Sequence, residues 1–406
     1  MVTGFLPGPS AMPRDSACPC DFCGRDLPAF LYQPEGSTRG LKVHLCSHCG
    51  LVQSLPRIDR TAQRHAPAVS GGADWGNVRY GKGFRTGIAL EALRRNVNLD
   101  DALALLDVGS NRGRFAKAFL DIAPFASLTA VEPDERYAQS SAGLARTRLI
   151  QARIENVTLD DASFDVVHSC HTIEHLAHPF ATLKDHARVL KPGGLLILDA
   201  PNLALLASDD ILEEWFIDKH LYHFSDVTLG RMIEAAGFEV IEQPDPADAI
   251  NLLFVARKKP PASSDIAADP VEVARAEDLF TRYVTSRAAN LAALTQAARE
   301  IENLQPRRIA IWGAGRLFDS LVLHGGLRPQ NLSLLIDAHL SQHMNERHGV
   351  RLSTPQALSE TDTDVIVVMS RGFAAEITAE ARRLAPQAQI ILYADLLARA
   401  RLANAA

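Results

Sequence analysis

The chain is predicted to be an α/β protein, with a doubly wound sheet in the middle, a small metal-binding module before it and a second α/β domain after it. Three observations predict this. Short apolar runs alternate with helical periodicity from about 103 to 256, the pattern of a parallel sheet with helices on both faces. The alternation starts again at Arg308 and runs to Tyr393. Five of the six cysteines fall in the first fifty residues, four of them in two Cys-x-x-Cys pairs.

A length of 406 residues accommodates two or three domains. The boundaries expected are a flexible tail over 1–17, a metal module and connection over 18–80, a central domain over 81–258, a linker and long helix over 259–305, and a C-terminal domain over 306–406. The composition, 47% hydrophobic and 22% charged, is that of a soluble globular protein. The formal net charge of −6, with no Lys/Arg-rich arm, argues against a nucleic-acid partner. No apolar run reaches membrane-spanning length, and the first seventeen residues lack the basic start and apolar block of a signal peptide. A cytoplasmic protein with no membrane partner is expected.

In chain order, Cys20-x-x-Cys23 and Cys46-x-x-Cys49 are each followed by glycine, Gly24 and Gly50. Each turn presents two thiolates, and two turns supply the four ligands of a closed, structural Zn2+ site. Cys18 is an alternative to Cys20, and His44 or His48 could intrude. Leu51-Val52-Gln53 reads as a short strand. Residues 54–80 read as a loop-rich connection in which Trp75, Tyr80 and Phe84 stand out. They either pack the connection onto the next domain, or Tyr80 covers a ligand. A helical pattern through Ile88, Leu90, Leu93 and Val97 leads into the central domain.

There, strands are expected at 103–108, 128–132, 148–151, 165–169, 194–199 and 250–256. The first ends in Asp107-Val108-Gly109-Ser110-Asn111-Arg112-Gly113, a strand, a tight glycine turn and then a helix. Glycines let a ligand approach the backbone, and the helix start offers free N–H groups. The second strand ends in Glu132, where an acid can hold both hydroxyls of a ribose. The three-glycine dinucleotide spacing is absent. Ligands bind such sheets at the carboxyl ends of the strands, where Arg153, Ile154 and Glu155 are placed to flank an adenine and the segments His168 to His175 and Asp199 to Asn202 end the next two strands. Farther on, Lys219-His220-Leu221-Tyr222-His223-Phe224 crowds two histidines and a tyrosine into four residues. That stretch is either a site or a packed loop. A helix from Val227 to Ala236 follows, closed by Gly237.

Residues 257–270 form a Lys-Pro-Ser linker, and 271–304 a charged helix of about nine turns that either braces two domains or pairs two copies into a homodimer. The last domain opens on a strand and a Gly313-Ala314-Gly315 turn, with Asp337 at the tip of its second strand. Those glycines either only make the turn or belong to a nucleotide subsite.

The motifs Asp107-Val-Gly-Ser-Asn-x-Gly113, Val131-Glu-Pro, Phe164-Asp-Val-Val, Ile173-Glu-His and Leu190-Lys-Pro-Gly-Gly occur in the order expected of class I methyltransferases. Metal knuckles, methyltransferase core, long helix and a Gly-Ala-Gly domain, covering roughly 18 to 395, resemble the sugar C-methyltransferases. The resemblance implies a Rossmann-like S-adenosylmethionine domain and a C-terminal Rossmann-like domain. It implies cofactor binding by Asp107, Gly109, Ser110, Asn111, Gly113, Glu132, Ile154, Glu155 and His171. It also implies a nucleotide-linked sugar as substrate, with His175, His220, Tyr222, His223 and Tyr80 as candidate catalytic residues. The family's Tyr-His-Glu-His loop is here Ile217-Asp218-Lys219-His220, so its Tyr, first His and Glu are missing. Arg112 replaces the acid of its glycine turn. O-methylation of a sugar therefore fits as well as C-methylation, with His175 or His220 as base. A non-catalytic protein of a polysaccharide or secondary-metabolite pathway is the alternative.

Overall fold

The computed structural model describes residues 18–27, 30–34, 36–57, 82–138, 143–260, 265–342 and 344–405. Trp75 and Tyr80 lie outside them. The chain divides into two compact units. The first holds the N-terminal residues, Lys82–Leu205 and Phe216–Leu279; the second holds Leu206–Trp215 and Phe280–Ala406.

In the first unit, β1 (Lys42–Leu45) and β2 (Val52–Leu55) form an antiparallel pair joined by the second cysteine knuckle. Then come α1 (Lys82–Asn96), β3 (Ala104–Val108), α2 (Arg114–Ile122), β4 (Ser127–Val131), β5 (Thr147–Ile150), β6 (Phe164–Cys170), α3 (Pro179–Val189) and β7 (Leu190–Pro201). The unit continues with β8 (Tyr222–His223), α4 (Asp226–Ala235), β9 (Phe238–Glu242) and β10 (Asn251–Lys258). The large sheet has the order β5-β4-β3-β6-β7-β10-β9. Strands β3 to β7 pair in parallel, and with β10 they account for all six predicted strands.

Two features differ from expectation. The strand at 251–258 is antiparallel to both its neighbours, and a seventh strand, β9, flanks it. The connection from β9 to β10 is too short for the crossover of a dozen or more residues that a parallel pair requires. Successive residues of one strand face opposite sides, and the sheet buries both. Leu106, Val108, Val167 and Leu196 enter one core, while Leu105, Val166, Leu195 and Ile197 enter the other. Helix α2 turns Phe115, Ala116, Phe119 and Leu120 inward. Helix α4 starts at Ser225, whose hydroxyl accepts from Thr228 N while the Thr228 hydroxyl receives Ser225 N, a reciprocal cap.

The second unit contains most of α5 (Pro270–Glu302), then β11 (Ile309–Trp312), α6 (Arg316–Leu323), β12 (Leu334–Ile336), β13 (Glu346–Arg347) and β14 (Val350–Ser353). It closes with β15 (Val365–Val368), α7 (Ala374–Leu384), β16 (Gln389–Leu392) and α8 (Tyr393–Ala405). Its sheet, β13-β14-β12-β11-β15-β16, is parallel except for β13. Leu206–Trp215 belongs to this unit rather than to the central domain in which the sequence placed it. Arg371 explains why: its guanidinium donates to Asp210 Oδ2 at 2.7 Å and Glu213 Oε2 at 2.8 Å, and Leu212 is buried in this unit's core. Gly313 sits at φ 113°, where a Cβ would meet Met369 O at 2.5 Å. Asp337 accepts from Ala314 N, His339 N and Leu340 N, so this acid closes its own turn. No helix of the described residues is long and apolar enough to cross a membrane.

Candidate functional site

The site begins where β3 stops. Asp107 is 2% exposed, and its Oδ1 accepts from His168 Nδ1 at 2.8 Å. The His168 ring stacks on Phe115 with centroids 3.5 Å apart, so α2 fixes the imidazole and the imidazole fixes the acid. Asp107 Oδ2 and Ser110 Oγ are buried without a hydrogen-bond partner among the described residues. Buried oxygens normally find partners, and two orphans at a strand tip mark a place for a polar ligand.

Backbone conformation shapes the same turn. Gly109, Asn111 and Gly113 have φ of 74°, 49° and 67°. At Gly109 a Cβ would come within 2.1 Å of Thr172 Oγ1, so only glycine fits. Asn111 tolerates its conformation because its own Oδ1 accepts from Arg112 N at 2.8 Å. Glu132 lies across the turn, its Oε2 accepting from Asn111 N at 2.7 Å and its Oε1 from Asp134 N at 2.9 Å. The acid therefore ties the turn down at the tip of the second strand. Ile154 and Glu155 lie on a short 3-10 turn after β5. Glu155 Oε1 accepts from Ala177 N at 3.1 Å, and Arg153 Nε lies 3.4 Å from Glu155 Oε2. Glu155 thus holds the segment after His175.

Beyond β6 the chain turns through Cys170, His171 (φ 49°), Thr172 and a 3-10 turn, Ile173–His175. The loop at 217–225 docks on that turn. Leu221 N donates to Glu174 O at 2.8 Å, and His175 Nδ1 lies 2.8 Å from Lys219 O. Docking brings the rings of His175 and His220 to 4.9 Å between centroids. Burial, and then the neighbouring His175, push His220 well below the ordinary histidine range. His171 Nε2 lies 3.0 Å from Asn251 Oδ1.

Tyr222 and His223, read from sequence as catalytic candidates, are placed in a strand. They form β8, which pairs with β2 of the cysteine module, and they are 1% and 3% exposed. The Tyr222 hydroxyl donates to Ala177 O at 2.8 Å, and His223 Nε2 bonds Ser54 Oγ at 2.8 Å. Burial pushes His223 down to about 3. Their polar atoms are engaged by the packed sheet and its neighbours.

Sequence reading missed a second polar group. Arg85 on α1 is 4% exposed and donates to Asp199 Oδ2 and Asp248 Oδ2, each at 2.5 Å. Cys170 Sγ lies 3.6 Å from Asp199 Oδ2. This buried ion pair closes the β7 end beside His171, and no local motif signals it. His168 carried a signal, since it stands opposite Asp107 in the register of the two central strands.

Apart from this site, Cys20, Cys23, Cys46 and Cys49 converge. Cys20 Sγ to Cys49 Sγ is 3.6 Å, and Cys23 Sγ to Cys46 Sγ is 3.5 Å. Disulfide sulfurs stand about 2.05 Å apart, whereas sulfurs about 2.3 Å from one tetrahedral zinc stand about 3.8 Å apart. The spacing fits zinc and not disulfides. Gly24 and Gly50, at φ 71° and 79°, let each knuckle turn back. His48 turns its Nε2 to Ile266 O at 2.8 Å and is not part of the four-cysteine group.

Parts of the chain are similar to known proteins. Residues 82–243 match a family model described as a methyltransferase domain. An uncharacterized methyltransferase of Mycolicibacterium vanbaalenii is 37% identical over 99 residues, 24% of this chain and 38% of that one. One from Mycobacterium tuberculosis is 35% identical over 95 residues, 23% of this chain and 37% of that one. The chain thus spans less than two fifths of the length of these relatives. Among solved structures, an S-adenosylmethionine-dependent methyltransferase from Mesorhizobium loti aligns with a TM-score of 0.35 and 16% identity, covering 41% of this chain and 96% of that one. One from Aquifex aeolicus aligns at 0.35 and 17%, covering 43% and 89%. Residues 82–243, which contain the Asp107 turn, Glu132 and the His175 segment, are thus the part of the chain that matches the methyltransferase-domain model.

Proposed function

We propose that this chain is an S-adenosylmethionine-dependent methyltransferase acting on a sugar or nucleotide-linked sugar, at carbon or oxygen. The observation that carries the reading is the buried turn at 107–113, with its unpartnered Asp107 and Ser110 oxygens, beside the imidazole pair His175 and His220. Both lie at the carboxyl ends of the parallel strands, where such sheets bind ligands. When bound, the cofactor supplies an electrophilic methyl group on a sulfonium. Asp107, Ser110 and Glu132 would hold its polar atoms, and Gly109 and Gly113 would let it approach the backbone.

The protein's remaining task is to orient an acceptor and remove its proton. His175 Nδ1 faces a carbonyl oxygen and must carry the hydrogen, which leaves the lone pair on Nε2. That nitrogen, or His220, would take the proton of a hydroxyl or of a carbon beside a keto group. Zinc on the four cysteines would act structurally, because it holds the hairpin that β8 joins. A cytoplasmic protein handling neither nucleic acid nor membrane completes the reading, supported by its net charge of −6.

Titration calorimetry with S-adenosylmethionine tests the proposal. Binding should weaken by roughly tenfold or more in Asp107→Ala and in Glu132→Ala, the loss expected for one or two charge-assisted hydrogen bonds. Absence of binding by the unsubstituted protein would sink the reading. Unchanged affinity in both variants would show that the site lies elsewhere. Assays of nucleotide sugars for methyl transfer, with the new methyl located on carbon or oxygen, identify the acceptor.

A further inference from the structure

Asp107 and His168 stand opposite one another in the register of the parallel strands β3 and β6. Two residues earlier on each strand, Leu105 and Val166 enter the core that α2 covers, so the polar pair ends an apolar column on that face. Both residues are buried, and among the described residues His168 is the only side chain that bonds Asp107. A buried pair of this kind is weak evidence of stability, because apolar residues of similar volume often serve a fold as well. The turn's own backbone gives the acid no further partner. Gly109 N and Ser110 N donate to Val131 O, Asn111 N to Glu132 Oε2, Arg112 N to Asn111 Oδ1 and Gly113 N to Ser110 O. All five amides are thus engaged within the protein, and Asp107 Oδ2 is left without a donor. A carboxylate oxygen accepts, so this one calls for a ligand group that donates, such as a hydroxyl or an ammonium. A phosphate, which accepts, finds no counterpart in it.

We infer that His168 is the positioning residue of this site: it holds Asp107 Oδ1 so that Oδ2 is turned to the cofactor. The inference rests on the proposed function for the identity of that ligand. His168 Nδ1 faces the carboxylate at 2.8 Å, and a carboxylate only accepts, so Nδ1 carries a hydrogen whether or not the ring is charged. Phe115 fixes the plane of this donor. Its ring lies 3.5 Å from the imidazole between centroids and 14° between planes, and it stacks in turn on Phe119. Phe115 is the second residue of α2, two positions beyond Gly113. The glycine turn that shapes the site therefore also places the ring that places the acid. A carboxylate held at one oxygen cannot swing about its last torsion, so the ligand meets it already oriented and binds with less ordering cost.

Titration calorimetry of the full chain with S-adenosylmethionine, in His168→Asn and His168→Gln, tests the role. An Asn amide sets its nitrogen near the place of Nδ1, a Gln amide near that of Nε2. Gln is closer to histidine in volume, so packing alone favours His168→Gln. Holding Asp107 favours His168→Asn, which should bind the cofactor roughly tenfold or more tighter than His168→Gln, the worth of one charge-assisted hydrogen bond. Equal affinity, or tighter binding by His168→Gln, overturns the inference. A cooperative melting transition certifies the fold of each variant. If either fails to fold, nitrogen-15 histidine NMR of the parent decides. The His168 Nδ1 proton should exchange slowly and shift when S-adenosylmethionine saturates the site; its absence, or an unmoved resonance, overturns the inference. If the parent binds no S-adenosylmethionine, the proposed function falls and this role with it. If the parent binds and the two variants do not differ, the role of His168 alone falls.

Discussion

Replacing Gly109 by alanine tests the turn directly. Two costs follow from the structure. The residue sits at φ 74°, a conformation that costs an L-residue about 1 kcal/mol or more. The new Cβ would lie 2.1 Å from Thr172 Oγ1 and 3.2 Å from Thr172 Cβ, an overlap of the kind that costs about 1–3 kcal/mol in a packed interior. The expected loss is about 2–4 kcal/mol, several degrees in the melting temperature of the first unit. The Thr172 hydroxyl makes only long bonds, 3.3 Å to Val108 O and 3.2 Å to Cys170 O, worth no more than about 1 kcal/mol. Thr172→Ala should therefore destabilise the parent slightly yet stabilise the Gly109→Ala background, because it removes the obstructing oxygen. Scanning calorimetry of the four proteins closes the cycle. If Thr172→Ala destabilises both backgrounds equally, the close approach is wrong. If Gly109→Ala melts with the parent, so is the conformational argument.

Other consequences are as direct. Metal analysis of the purified protein should find zinc on the cysteines, and Cys46→Ser should lower that content and the melting temperature together; full zinc in Cys46→Ser would exclude the four-cysteine site. Tyr222→Phe should cost about 1 kcal/mol through loss of the bond to Ala177 O, with cofactor affinity unchanged by calorimetry; a tenfold loss of affinity would return Tyr222 to the ligand site. His186 on α3 is buried, and burial lowers it from 6.5 to about 4. Its folded value lies below its unfolded one, so its contribution is complete above pH 6.5 and is lost as pH falls toward 4, on the order of 3 kcal/mol in all. His186→Leu should flatten the melting temperature over that window, and an unchanged slope in His186→Leu would show that other groups carry the acid sensitivity.

The sequence by itself determined whatever depends on neighbours a few residues apart. The turn at 107–113 follows from where the glycines stand at the end of an apolar run, and Glu132 from its place one strand later. Cysteine spacing alone paired the knuckles, since a Cys-x-x-Cys turn is a local object. The strands at 103–108, 128–132 and 165–169 followed from short apolar runs between turns. Tertiary structure decided what depends on distant partners. His220 joins His175 only because Lys219 O and Leu221 N find the 174–175 turn, and no periodicity connects those segments. Tyr222 and His223 have the composition of a site, yet pairing with Val52 and Gln53 spends them on the fold. Whether an aromatic or a histidine is buried depends on which strand lies beside it, and that strand is contributed by residues far away in sequence. The ring orientations of His171 and His175 are likewise set by Asn251 and Lys219. Such information exists only once the chain has folded, because hydrogen-bond partners are chosen by proximity in space.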